Sequence, residues 1–213
     1  MKTDCRHPFL FVVLLTIIVG KMLKGYQMLY IIRHGKTDWN AVYRLQGRSD
    51  IPLNDEGRQM AREAAKKYAG IHFDICYSSP LSRALETARI LLEGRNVPII
   101  TDERLLEMCF GEFEGAENCF LHPEWSIYKF FKDTENYVAE NGAESLDELF
   151  ARTGDFLENV VKKDLESGKD ILIVGHGAMN NSIVSRVRHI PRKDFWTTAI
   201  PNCELIELGD KIQ

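Results

Sequence analysis

Leu29-Tyr30-Ile31-Ile32-Arg33-His34-Gly35-Lys36-Thr37-Asp38-Trp39-Asn40 is the stretch from which the fold of this chain can be read. Leu29 to Ile32 is an apolar run too short for a helix, and it stops abruptly at charge, as a strand buried on both faces does. Arg33 and His34 then sit at the carboxyl end of that strand, the rim where open parallel sheets carry their ligands. Gly35 lets the backbone turn beneath them. A guanidinium beside an imidazole at such a rim is a candidate anion site containing a nucleophile. An Arg-His-Gly triplet alone is a weak signal, because most such histidines are solvated turn residues, so the rest of the chain has to support it.

The same ending occurs once more. Ile171-Leu172-Ile173-Val174 is a second short apolar run, and Gly175-His176-Gly177 follows at once. Two histidines at the ends of the clearest strands in the chain are hard to attribute to chance. Between them, strands alternate with amphipathic helices. Asn54 reads as an N-cap with Asp55 and Glu56 in the first turn, and Met60, Ala61, Ala64, Ala65 and Tyr68 recur at helical steps up to Gly70. Gly57 inside that helix should cost about 1 kcal/mol relative to Ala. Phe73 to Ser78 is another buried strand. Ser79 suits an N-cap and Pro80 the first helical position, which puts Arg83 in the first turn of a helix running through Leu85, Ala88 and Leu92. A guanidinium and free amides at one helix N-terminus form an anion site; for Arg83 alone, an exposed arginine on an ordinary helix is the plainer reading. Arg89 is read as a surface residue.

Val97 to Thr101 is a third strand. Ser145 and Glu148 form a capping box for a long amphipathic helix reaching Lys163, Ala178 to Arg188 is a further helix, and Cys203 to Leu208 is a final edge strand. Strand and helix alternation with right-handed crossovers predicts an α/β fold, three-layer α/β/α around a mostly parallel sheet.

The remaining segments are less regular. Lys36 to Pro52 reads as a polar loop containing Gln46-Gly47-Arg48-Ser49-Asp50. Several carboxylates crowd residues 103–115, most of them read as solvated. Glu107 differs, because Leu105, Leu106, Met108 and Phe110 surround it in sequence, an environment expected to raise its pKa and let it hold a proton near neutrality. Residues 112–144, rich in aromatics such as Phe120, Trp125 and Phe131, read either as a helical substrate wall or as the core of a small subdomain.

Composition narrows the function classes. The chain has 213 residues, 45% hydrophobic and 27% charged, enough for one domain with a real core. A net charge of -4 argues against a dedicated nucleic-acid binder. Cys5, Cys76, Cys109, Cys119 and Cys203 include no Cys-x-x-Cys pair and read as reduced thiols, without a disulfide framework or a metal site. Residues 1–27 stand apart from the globular domain at 28–213. Pro8 to Gly20 is an uncharged apolar run flanked by basic residues, short for a spanning helix and within the length of a signal-peptide core. No small-x-small cleavage site follows it, and Met28 fits a start immediately before the first strand. Membrane contact is expected only through Pro8 to Gly20, and the expected location is otherwise cytoplasmic. The oligomeric state is not legible.

A parallel sheet would bring Arg33, His34, Arg83 and His176 to one rim. Two forked guanidinium groups match the oxygens of a phosphomonoester, and an imidazole is a competent nucleophile towards phosphorus. With arginines supplying positive charge, no metal ligand set is required, and the chemistry that fits is phosphoryl transfer through a phosphohistidine. In order and spacing, Arg33-His34-Gly35-Lys36-Thr37, Ser79-Pro80-Leu81-Ser82-Arg83-Ala84, Glu107 ahead of Phe110-Gly111, and Gly175-His176-Gly177 resemble the histidine phosphatase superfamily, the phosphoglycerate-mutase-like group. The resemblance covers Leu29 to Leu208. It implies that His34 is the nucleophile, that Arg33, Arg83 and His176 bind the phosphoryl group, and that Glu107 protonates the leaving oxygen and then activates water. It also implies that Thr37 and Asn40 lie near the phosphate and that Gln46 and Gly47 cover it. Gly142-Ala143-Glu144-Ser145 resembles the family's Gly-Gly-Glu-Ser turn with one glycine changed.

Within that family, mutases carry longer insertions and a C-terminal tail, and usually read Arg-His-Gly-Glu-Ser where this chain has Lys36 and Thr37. Here the chain ends at Gln213, a few residues past its last strand. The chain is thus similar to the smaller phosphatase branch, expected to hydrolyse a small phosphorylated metabolite without metal or other cofactor. The alternatives are a cofactor-dependent phosphoglycerate mutase, a non-catalytic phosphate-binding module, and a membrane-tethered signalling phosphatase.

Overall fold

The apolar runs are strands, and the computed structural model, which describes residues 27–198 and 200–209, assembles them in the expected order. Along the chain come β1 (Leu29–Arg33), α1 (Asp38–Ala41), α2 (Asp55–Lys67), β2 (Ile75–Ser78), α3 (Ser82–Leu91) and β3 (Ile99–Thr101). They are followed by α4 (Ser126–Lys132), α5 (Leu146–Phe156), α6 (Lys162–Glu166), β4 (Ile171–Gly175), α7 (Gly177–Arg188) and β5 (Leu205–Gly209). The sheet order is β3-β2-β4-β1-β5, parallel except for β5, which runs antiparallel to β1 at the edge.

Side-chain alternation divides the interior into two cores. Leu29, Ile31, Tyr77, Ile171 and Ile173 face α5 and α7, through Leu149, Phe156, Ile183 and Val184. Tyr30, Ile32, Cys76, Leu172 and Val174 face α2 and α3, through Ala61, Ala64, Ala84 and Ala88. Strands that are apolar at consecutive positions are therefore covered on both faces, which is the three-layer α/β/α arrangement.

Register sets the working rim. Arg33 pairs with Gly175 and Ser78 with Val174, so the carboxyl ends of β1, β2 and β4 stop together, and His34 N–H continues the ladder to Gly175 O at 2.9 Å.

Several local expectations are corrected. Ser79 is not the N-cap of α3, because its N–H still belongs to the ladder, donating to Val174 O at 3.0 Å. The helix begins at Ser82, where the Asp50 carboxylate accepts from both Ser82 N–H and Ser82 Oγ at 2.8 Å. A carboxylate thus already occupies that N-terminus through the Ser82 amide. The helix expected from Ser145 to Lys163 has its capping box, but a π-helical turn at Leu157–Val161 divides it and it runs on to Glu166. The polar loop after β1 contains the one-turn α1, and strands β2 and β3 start two residues later than their apolar runs. Pro8 to Gly20 lies outside the described residues; among those described, no helix is long and apolar enough to cross a membrane.

Candidate active site

His34 is 3% exposed, and its Nδ1 lies 2.6 Å from Gly35 O. Only a protonated Nδ1 can donate there, so in the neutral ring the lone pair is on Nε2. Burial, then the charges of Arg83 and Arg33, push the His34 pKa well below the usual 6.5, against the upward pull of the Gly35 bond. The side chain is therefore an unprotonated imidazole across the neutral range.

His176, wholly buried at the end of β4, packs its ring against His34 with centroids 5.1 Å apart. Burial first, then Arg83, His34 and Arg33, hold it neutral in the same way. Among the described residues, neither His176 nitrogen has a hydrogen-bond partner, nor does Arg33 Nε. Buried polar atoms left unpaired cost on the order of 1–3 kcal/mol each; of these, the single N–H of the neutral His176 ring and Arg33 Nε–H are donors suited to the oxygens of an anion.

Arg83 is not the exposed helix residue of the plainer reading: it is fully buried. Its Nη1 donates to Ser49 O at 2.8 Å and its Nη2 to Gly47 O at 2.6 Å, and burial lowers its pKa to about 10, so it remains cationic. Gln46 donates through Nε2 to Thr37 Oγ1 (2.7 Å) and accepts at Oε1 from Arg83 Nε and Nη1 (3.0 Å each), the amide orientation that satisfies both neighbours. Thr37 in turn caps α1, accepting from Asn40 N–H at 3.2 Å while Asn40 Oδ1 accepts from Thr37 N–H. Gly47 is required sterically, since a Cβ there would lie 2.7 Å from Met108 O.

Glu107 reaches the rim from the loop after β3. Leu105, Met108 and Phe110 turn into the core, so the carboxylate is not wrapped in apolar side chains as the flanking residues suggest. It accepts instead from backbone N–H groups: Oε1 from Met108 and Met179 (2.8 and 2.9 Å), Oε2 from Ala178 (3.1 Å), which places it at the N-terminus of α7. Oε2, with one donor, has a lone pair left for a proton.

A cavity of about 470 Å³ opens over this rim, and Arg33, His34, Asn40, Gln46 and Glu107 line its inner end. Thr37, Arg83 and His176 stand buried behind them. All nine residues singled out from the sequence thus belong to one connected site.

Other contributors carried no legible signal. Asn202 Nδ2 donates to His34 O at 2.7 Å from the turn before β5. Thr87, on α3, accepts from Gly35 N–H at 3.0 Å and donates to Arg83 O at 2.7 Å, tying both loops to one helix. Glu114, grouped above with solvated carboxylates, is bound by Ser49 Oγ (2.5 Å) and by Arg48 and Ser49 N–H (2.8 Å each). Burial raises its pKa, and these bonds outweigh that and hold it below the usual carboxylate value. Trp196 adds an aromatic face to the cavity. The changed glycine in the 142–145 turn is accommodated: Gly142 alone takes the left-handed conformation (φ 78°), and Ala143 pairs with Phe110 in a short bridge.

Among the described residues, the His and Asp side chains close enough to share a metal are His72, Asp74 and Asp170. They lie at the amino ends of the strands, opposite His34, and their carboxylates already accept from Met28 and Asp170 N–H.

Known proteins are similar to this chain in sequence and fold. The chain is 35% identical to phosphoglycerate mutase-like protein 4 of Arabidopsis thaliana over 79% of its own length and 74% of the relative's. It is 28% identical to phosphoserine phosphatase 1 of Hydrogenobacter thermophilus, over 82% of each. The solved structure of Bacillus stearothermophilus YhfR superposes with a TM-score of 0.77 at 29% identity, over 85% of this chain and 90% of that one. The family model for the histidine phosphatase superfamily (branch 1) matches residues 29–210, and the chain belongs to that family.

Proposed function

We propose that this chain is a metal-independent phosphomonoester hydrolase that acts on a small phosphorylated metabolite through a phosphohistidine at His34. The observation that carries the reading is the state of His34: Nδ1–H is fixed on Gly35 O, the ring is neutral, and Nε2 is the free lone pair beside two arginines. Nε2 attacks phosphorus, a P–N bond forms and the P–O bond to the leaving group breaks. Arg33 and an N–H of the neutral His176 ring would meet the non-bridging oxygens, with the buried charge of Arg83 behind them, and preorganised electrostatics of this kind replaces a Lewis acid. Glu107, protonated at Oε2, gives its proton to the leaving oxygen. It then takes one from water, which attacks phosphorus, releases phosphate and restores His34.

Both mutase and phosphatase names occur among the relatives, so they do not choose between transfer and hydrolysis. Hydrolysis is supported by water access. The cavity of about 470 Å³ is lined by both His34 and Glu107, with room for a water molecule beside a phosphoryl group on the histidine. The test is phosphate release from simple monoesters in excess chelator. Full activity there, lost in His34→Ala, is expected; activity that depends on added divalent metal would sink the proposal.

A further inference from the structure

The inner end of the cavity is built for a phosphoryl group; its outer half is built differently. Phe120, Phe131, Trp196 and Leu45 line it, with Tyr43 at the lip. The Tyr43 ring meets Phe120 edge-on at 6.2 Å, and Phe131 stacks on Trp196 at 5.4 Å. The cations at this end are already paired. Lys36 Nζ lies 2.6 Å from Glu56, and Arg44 Nη2 lies 2.6 Å from Glu117 with its guanidinium over the Trp39 ring. Arg44 Nε, which is buried, has no hydrogen-bond partner among the described residues.

Backbone strain supports the lip. Tyr43 and Asn118 both adopt left-handed conformations, with φ of 56° and 51°, and Asn118 N–H donates to Tyr43 O at 3.1 Å. A bulky aromatic residue in that region is strained, and the Arg44–Glu117 bridge with its ion pair over-determines the geometry. The result is a large ring held in solvent at the entrance to the site rather than buried in the core.

We propose that the outer half of the cavity is a leaving-group subsite for a neutral apolar group of aromatic-ring size, so that the preferred substrates are phosphomonoesters of hydrophobic alcohols rather than of carboxylated ones. This rests on the phosphomonoester reading of the same site and names its substrate class. A carboxylated leaving group would compete with Glu56 or Glu117 for the cations at this end, whereas an apolar ring needs only the aromatic walls already there.

Non-hydrolysable phosphonates separate the subsite from the chemistry. Binding of phenethylphosphonate, ethylphosphonate and phosphonopropanoate to the full chain is measured by calorimetry, alongside phosphate release from phenethyl phosphate. Alcohol-derived esters avoid the intrinsic reactivity of aryl phosphates. The phenethyl compound is expected to bind roughly tenfold or more tighter than the ethyl one, and the carboxylated compound no tighter than the ethyl one. Phe120→Ala should erase most of that preference, with ethylphosphonate affinity showing that the anion end is intact. Tyr43→Gly, which removes the lip ring and relieves its strained backbone, should reduce the preference without threatening the fold. Tightest binding by phosphonopropanoate, or a preference untouched by both substitutions, would overturn the inference. Strong phenethylphosphonate binding without phosphate release would uphold the subsite and sink the hydrolase reading instead.

Discussion

Gly57→Ala separates local propensity from tertiary placement, because the two call for opposite signs. Gly57 lies in the first turn of α2, and by helix propensity alone alanine should stabilise the protein by about 1 kcal/mol. The structure reverses this. A Cβ on Gly57 would fall on the carbonyl oxygen of Lys36 and 2.7 Å from the Lys36 nitrogen. The converse also holds, as a Cβ on Gly35 would lie 2.5 Å from Gly57 O. The helix and the loop carrying His34 thus touch backbone to backbone, with no flexible side chain to give way. Overpacking of this kind typically costs 1–3 kcal/mol or somewhat more against backbone, so after the propensity gain a net loss of about 2 kcal/mol is expected. For a chain of this size that lowers the melting temperature by roughly 4–8 °C. The displaced atoms belong to the residues after the nucleophile, so kcat should fall with stability. Gly70→Ala is the control: nothing lies within 4 Å of a Cβ there, and it should be neutral or slightly stabilising. Thermal melts and phosphatase kinetics on both variants decide the matter, and a Gly57→Ala protein that is more stable and fully active would refute the packing argument.

Three further outcomes are expected. Glu107→Gln should lower kcat by roughly 10²–10⁴-fold and leave the phosphoenzyme accumulated even with an ester whose leaving group needs no proton, read by quench-flow; wild-type turnover would remove Glu107 from the chemistry. His34 and His176 are both held below 6.5, so as pH falls below that value the unfolded chain takes up protons the folded one does not. Stability that is complete above pH 6.5 should be lost on acidification by up to about 1.4 kcal/mol per pH unit for each histidine, and denaturant titrations at a series of pH values should show the slope fall when either is replaced. Arg152 pairs with the buried Glu144 at 2.6 Å and donates to Arg104 O and Leu106 O at 2.7 Å, bracing the loop that holds Glu107. Glu144 would keep Arg48 and the Cys109 amide as partners, so Arg152→Ala should destabilise by about 1–3 kcal/mol, and an unchanged urea midpoint would show that the pair is dispensable.

The strands and the two histidines were legible because strand ends are local: a short apolar run, then charge or glycine, marks both the element and the rim where its last residue works. Arg33, His34 and His176 are found that way. The burial of Arg83 was not legible, because its partners are the carbonyls of Gly47 and Ser49, more than thirty residues away in a loop without periodicity. The same loop supplies Asp50 as the cap of α3, which is why Ser79 and Pro80 looked like the helix start. Glu107 was identified, but its surroundings depend on the N-terminus of α7, a contact across 72 residues that flanking side chains do not report. Asn202 and Trp196 act from irregular backbone, where neither a period of two nor one of 3.6 marks a side chain. The left-handed Tyr43 has no signal in its residue type, since tyrosine is not a residue that favours positive φ.

The central claim is the covalent one: that His34 carries the phosphoryl group. The direct measurement mixes the protein with a radiolabelled phosphomonoester in chelator and quenches it within the first turnover, beside His34→Ala. Label that stays on the wild-type chain in alkali, leaves in acid, and is absent from the variant is the predicted result. Phosphate released at full rate with no such label, or label that persists in His34→Ala, would contradict the account.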